Sequence, residues 1–198
     1  MKIRAFLAIL CALTVTTAAT AQRKPRLKQA DLLFHVAGQG NAITDVTPGM
    51  IDHVAICLGS DSVIEAIPQQ GVTTTALNVV LSREEGYYIV GRVKKADRRR
   101  SAEKARHYIG CRYDSLYLPD NADIYCSELV VLALVDKKGN RLFEPIPMSF
   151  HDSTGAITPY WKEFYERHGL PVPEGWPGSN PGELSRRRQV CIVGRLGY

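Results

Sequence analysis

Chemistry in this 198-residue chain centres on one cysteine, five histidines and one carboxylate set in apolar surroundings. Cys126 follows the polar stretch 111–125 and opens the apolar run Leu129-Val130-Val131-Leu132-Ala133-Leu134. A thiol at a helix start faces unpaired backbone N–H groups and the positive end of the helix dipole, which favour thiolate. The same N–H groups can hold the oxyanion formed when sulfur attacks a carbonyl. Position alone leaves a buried structural cysteine equally open. Nucleophilic use requires a base, and His35, His53, His107, His151 and His168 are the candidates. His107 sits in a polar helical stretch and His168 beside Gly169, so both read as exposed. His53 heads a strand-like run after Asp52, where the backbone is held rigid.

Glu65 lies in the next strand-like run, Val63-Ile64-Glu65-Ala66-Ile67. With the turn centred on Gly59 or Ser60, residues 53 and 65 share parity. Both side chains then leave one face of the hairpin, directly opposite or one diagonal apart. That spacing sets their Cβ atoms roughly 5–8 Å apart, near enough for the carboxylate to orient the imidazole. A carboxylate buried in such a run is costly unless partnered, and His53 is the available partner. A surface-facing Glu65 on a half-exposed strand is the alternative.

The elements that must position these groups follow from the pattern. Strands are expected at 31–36, 53–58, 62–67 and 87–93, with 72–75 continuing the sheet. A short helix is expected at 76–83. A second spans 101–109, with Ser101 as N-cap and Gly110 as stop, and a third spans 126–135. Residues 22–30 read as a basic arm, and the proline-rich stretch 145–181 as long irregular chain. Strands and helices interspersed without strict alternation indicate an α+β fold.

The segments Asp31-Leu32-Leu33-Phe34, Asp52-His53-Val54-Ala55-Ile56, Val63-Ile64-Glu65-Ala66, Tyr113-Asp114 with Tyr117 after Gly110, and Tyr125-Cys126-Ser127-Glu128-Leu129-Val130 occur in that order. In this arrangement the chain resembles the circularly permuted, NlpC-type, papain-like cysteine hydrolases, the YaeF/YiiX-like permuted amidases. Papain-like enzymes of ordinary order place the Cys before the His; the permuted group places the His strand first, as here. The resemblance spans about residues 31–134. It implies a permuted papain-like α+β fold whose antiparallel sheet carries the His and Glu and packs on a helix starting at the Cys. It further implies Cys126 as nucleophile, His53 as base and Glu65 as the residue that orients the imidazole. The implied reaction is thiol-dependent hydrolysis of an amide. A lipid-directed acyltransferase or esterase of the lecithin–retinol acyltransferase type, which the permuted group also resembles, is the alternative, and a non-catalytic lipid-binding module is a third.

Tyr113, Tyr117 and Tyr125 sit on the loop entering the Cys126 helix and are the substrate or oxyanion candidates. Tyrosines give apolar faces with a polar tip, suiting the acyl side of a cleft. A loop that only covers the core is the competing reading.

Composition bounds the rest. The chain is 45% hydrophobic and 23% charged with net charge +5, which excludes disordered and fibrous classes and argues for no nucleic-acid partner. The basic runs 94–95, 98–100 and 186–188 lack interleaved aromatics and read as solvated faces that can touch an anionic envelope surface. Lys2 and Arg4, the apolar run 5–15 and the Ala19-x-Ala21 end read as a signal peptide over 1–21, followed by one domain over 22–198. The run is too short to span a bilayer. An exported, periplasmic or secreted monomer acting on an envelope amide, such as a peptidoglycan fragment or an acylated amino compound, is the expectation. Cys57, Cys111, Cys126 and Cys191 show no CxxC or zinc spacing, so no metal and no cofactor are expected. Cys57 and Cys191, each in an apolar run, read as buried free thiols.

Overall fold

Alternating apolar residues build one antiparallel sheet. The structure, a computed structural model, describes residues 24–83 and 85–197; the expected signal peptide lies outside them. The strands are β1 (Asp31–Ala37), β2 (Ile51–Cys57), β3 (Ser62–Ile67), β4 (Gly71–Ala76), β5 (Gly86–Val93) and, much later, β8 (Val190–Leu196). Their order across the sheet is β4-β3-β2-β1-β5-β8. The β2–β3 register pairs Ile56 with Ile64 and Cys57 with Val63, the alternative that sets residues 53 and 65 on one diagonal.

The two sheet faces bury different sets. Leu32, Phe34, Val54, Ile56 and Ile64 pack with Leu129, Val130 and Ala133 of α3 (Cys126–Ala133) and with Ala105 of α2 (Arg98–Arg106). Leu33, Ala55, Cys57, Val63 and Val90 pack on the other face with Val80 of α1 (Leu77–Leu81) and with Leu27. The fold is therefore α+β with an antiparallel sheet, as the pattern indicated.

Four local expectations need correction. The N-cap of α2 is Asp97, whose carboxylate accepts from Arg100 N–H at 3.0 Å. Ser101 is instead buried in the helix, its hydroxyl donating to Val135 O at 3.3 Å. Arg98 does not lie on a solvated face only, since with Arg92 it pairs the fully buried Asp31. Cys191 is exposed, because β8 is an edge strand and Cys191 does not point into the core; Cys57 is buried as expected.

The fourth concerns the proline-rich stretch, which is ordered. It forms α4 (Pro159–Arg167), the small ribbon β6 (Ile146–Pro147) with β7 (Pro177–Gly178), and α5 (Pro181–Arg186). Proline at the first turn of α4 and α5 costs no hydrogen bond, because that N–H has no helical partner. Phe150, Trp161 and Tyr165 from this stretch form a third cluster with Tyr125 and Met148. This cluster rests on the tyrosine loop, beside Cys126.

Candidate active site

A bulge sets the histidine. His35 pairs with His53, but the next pair along is Val36 with Ile51, which leaves Asp52 as an extra residue in β2. Bulges re-aim the side chains beside them. Here Ile51 and Val54 both enter the core beneath α3, and His53 leaves between them, its side chain 22% exposed.

The expected partner is in place. His53 Nε2–H donates to Glu65 Oε2 at 2.9 Å, and Glu65 is completely buried. A carboxylate has two oxygens to satisfy, and the second was not accounted for by sequence reasoning. Arg83, just after α1, donates from Nη1 to Glu65 Oε1 at 2.7 Å and from Nη2 toward Thr75 Oγ1 at 3.4 Å. The missed signal was arithmetic: one histidine cannot saturate a buried carboxylate. Burial alone would raise the Glu65 carboxyl, but hydrogen bonds from His53, Thr75 and Arg83 and the His53 charge outweigh it and hold it at about 2.

With Nε2 engaged, Nδ1 of His53 is the nitrogen free to serve sulfur. His53 hydrogen-bonds Glu65 and has Cys126 as its other close electrostatic neighbour. Burial alone would lower the imidazole, yet its interactions with Cys126 and with Glu65 push it up to about 10. Cys126 itself is the first residue of α3 and only 5% exposed. The turn is held by Glu128, whose carboxylate accepts from Tyr125 N–H at 3.4 Å. The three residues selected from sequence are thus brought together.

The sign of the resulting pH dependence can be worked out. His53 is raised from about 6.5 to about 10, so its stabilising contribution is complete below pH 6.5 and is lost as pH rises toward 10. Glu65 is lowered from about 4.5 to about 2, so its contribution is present above pH 4.5 and is lost as pH falls toward 2. The melting-temperature difference between wild type and His53→Gln should therefore be largest between pH 4.5 and 6.5 and shrink by pH 10. Calorimetry across that range checks it; a difference independent of pH would show that His53 gains nothing from its partners.

Of the other histidines, His107 and His168 are exposed as expected. His35 is buried and donates from Nδ1 to Asp52 Oδ1 at 2.7 Å, while Asn41 Nδ2 donates to Asp52 Oδ2 at 2.7 Å. Burial would raise Asp52, but the bonds from His35 and Asn41 keep its carboxyl below the ordinary range. This pair fastens the bulge that carries His53, and no motif in the sequence pointed to it. Among the described residues no three His, Cys, Asp or Glu side chains group to hold a metal.

The tyrosine loop both lines the site and packs. Buried Asp114 shapes it by accepting from Leu116 and Leu118 N–H, each at 2.8 Å, and from Asn121 Nδ2 at 3.1 Å. Tyr113, Tyr117 and Tyr125 line one pocket together with Cys126. Tyr117 meets Tyr125 edge-on at 5.3 Å and Trp161 at 5.7 Å between ring centroids. Burial pushes all three phenols up, Tyr117 to about 12 and the other two further, so each stays a neutral donor. The Tyr125 hydroxyl is committed elsewhere, accepting from Ser179 N–H at 3.0 Å and donating to Met148 Sδ at 3.8 Å. That leaves Tyr113 and Tyr117 as the hydroxyls that can face a substrate. The β7 approach needs Gly178, where a Cβ would overlap Met148 Sδ and crowd the Tyr125 hydroxyl.

Met148, Phe150, Trp161 and Ser179 also line this pocket, although sequence reasoning assigned no chemistry to their segment. The indole N–H of Trp161 donates to Ala42 O at 3.1 Å, tying α4 to the loop at 41–47. The chain matches the family model described as permuted papain-like amidase enzyme, YaeF/YiiX, C92 family, over residues 26–175. No curated protein matches it.

Proposed function

Because the chain belongs to the permuted papain-like amidase family, a family of papain-like cysteine amidases and peptidases, we propose that Cys126, His53 and Glu65 form its catalytic unit and hydrolyse an amide of a cell-envelope component. The observation that carries this reading is the buried Glu65, clamped by Arg83 on one oxygen and by His53 on the other, with His53 beside Cys126, the first residue of α3. A fully buried carboxylate is retained at a cost in desolvation, and here that cost sets a protonated imidazole beside the sulfur.

In the acylation step the Cys126 proton has passed to His53 and the thiolate attacks the amide carbon, so that the C–S bond forms and the carbonyl π electrons move to oxygen. The N–H of Cys126 at the first turn of α3 and the hydroxyl of Tyr113 hold that oxyanion. The intermediate collapses, the C–N bond breaks, and His53 gives its Nδ1 proton to the departing amine. Neutral His53 then takes a proton from water as its oxygen bonds to the acyl carbon, the C–S bond breaks, and the carboxylic acid leaves with the sulfur restored as thiolate beside the imidazolium. Glu65 keeps the imidazole in one orientation and balances its charge in both steps. The basic start, apolar run and Ala19-x-Ala21 end support export of a single domain acting outside the cytoplasm as a monomer.

Thiol reactivity tests the assignment without a known substrate. At pH 5.5 an ordinary thiol is thiolate in roughly one molecule per thousand. Iodoacetamide should then label Cys126 at least about tenfold faster than Cys111 or Cys191, because only Cys126 has an imidazolium partner and a helix start. Cys57 should stay unlabelled, since burial and then the Asp31 charge push its thiol up to about 12. Peptide mapping by mass spectrometry reads the order. Exposed Cys191 labelled first would remove the case for Cys126.

A further inference from the structure

The site opens on two unequal spaces. Cys126 lines the first and not the second, while His53 lines the second and not the first. Resting on the catalytic reading above, this division has a direction. His53 protonates the departing amine, so the amine half of the substrate lies on its side, and the acyl half lies on the side that Cys126 alone faces.

The two spaces differ in size and wall. The cavity volume is about 50 Å³ on the Cys126 side and about 950 Å³ on the His53 side. The walls of the smaller space include Val46, Tyr117, Met148, Phe150 and Trp161, and its far end is closed by the Phe150–Trp161–Tyr165 cluster. Phe150 packs edge-on against Trp161 at 5.2 Å and against Tyr165 at 5.5 Å, so the wall there is built of interlocked rings. The two spaces share Asp52, Tyr113, Tyr117 and Trp161, and the larger groove adds Asn41, Gln69 and Gln70.

We propose that the substrate is an amide whose acyl part ends in one compact apolar group, about the size of a single amino-acid side chain, with its bulk on the amine side. This places the enzyme among hydrolases of peptide-like amides and away from enzymes of long-chain acyl lipids.

The experiment is acylation of the full-length mature protein by 4-nitrophenyl esters, read as the nitrophenolate burst and as acyl mass on Cys126. The series runs acetate, butanoate, 3-methylbutanoate, phenylacetate, octanoate and dodecanoate. Burial of each fitting methylene should raise the acylation rate about fourfold until the pocket is full. The rate should peak at 3-methylbutanoate or phenylacetate and fall at least tenfold by octanoate. Val46 is half-buried on a surface loop, so Val46→Phe should fold and should cost 3-methylbutanoate at least tenfold more than acetate. On the amine side, the 3-methylbutanoyl amide of a dipeptide should be cleaved at least tenfold faster than that of methylamine. Rates rising steadily through dodecanoate would overturn the proposal in favour of a lipid acyl group, as would equal cleavage of the two amides. Absence of acylation by every ester, together with slow iodoacetamide labelling of Cys126, would overturn the nucleophile assignment beneath it. Rapid labelling with a flat ester series would overturn the pocket alone.

Discussion

Cys126→Ser should lose turnover by a factor on the order of 10⁴ to 10⁶ on any ester or amide the wild type cleaves, with its melting temperature little changed. The size of the effect follows from the base. His53 is held as an imidazolium by Glu65 and Cys126 and is pushed up to about 10. A serine hydroxyl is far too weak an acid to give its proton to the imidazole in the resting state, so the variant loses both the anionic nucleophile and the charge that helps hold His53 protonated. The variant keeps the α3 N-terminus, its Glu128 cap and its packing, because oxygen replaces sulfur at a site only 5% exposed and otherwise unaltered. Steady-state turnover, with intact-mass analysis for acyl adducts, measures it. A variant retaining a tenth of the activity would mean that another residue is the nucleophile, and Cys111 would be examined next.

Glu65 should separate two roles that the wild type combines. Glu65→Gln keeps the volume and can still accept from Arg83 or orient Nε2 of His53, but it removes the charge that balances the imidazolium. Its kcat/KM should fall by about 10² to 10⁴, and the alkaline limit of the pH profile should move to lower pH as His53 loses its partner. Glu65→Ala should lose at least as much activity and also stability. It empties a completely buried position and leaves Arg83 and His53 without their shared acceptor. Removing one partner of a buried pair costs about 3–5 kcal/mol. Arg83 and His53 side chains are 29% and 22% exposed and can turn to water, so the lower end, about 3 kcal/mol, is expected. In a domain of this size that corresponds to roughly 6–12 °C in melting temperature. Kinetics across pH and thermal denaturation of both variants test this together. Full activity in Glu65→Gln with an unmoved pH profile would reduce the catalytic unit to a Cys–His dyad.

Much of this was legible locally. Strand parity around a two-strand turn is a property of consecutive residues, so the shared face of His53 and Glu65 could be read from their numbers, and the observed register agrees. The helix beginning at Cys126 was equally readable, because a polar loop followed by an apolar run marks a boundary without any distant contact. Boundaries that depended on competing caps were less so. Asp97 and Ser101 are both capping residues, and tertiary packing decided between them by burying Ser101 against Val135.

The sequence by itself determined the kinds of groups present, the antiparallel hairpin that aligns a histidine with a glutamate, and a cysteine placed where backbone N–H groups converge. All three depend on contacts within one or two adjacent elements. Only the tertiary structure decided that Arg83 holds the second oxygen of Glu65, that Asp52 is a bulge fastened by His35 and Asn41, and that Met148, Phe150 and Trp161 close the space beside Cys126. Trp161 bonds Ala42 across 119 residues, and no pattern of neighbouring residues encodes such a contact. Local periodicity reports which face of an element seeks burial, whereas the partner it meets is set by how all the faces pack at once.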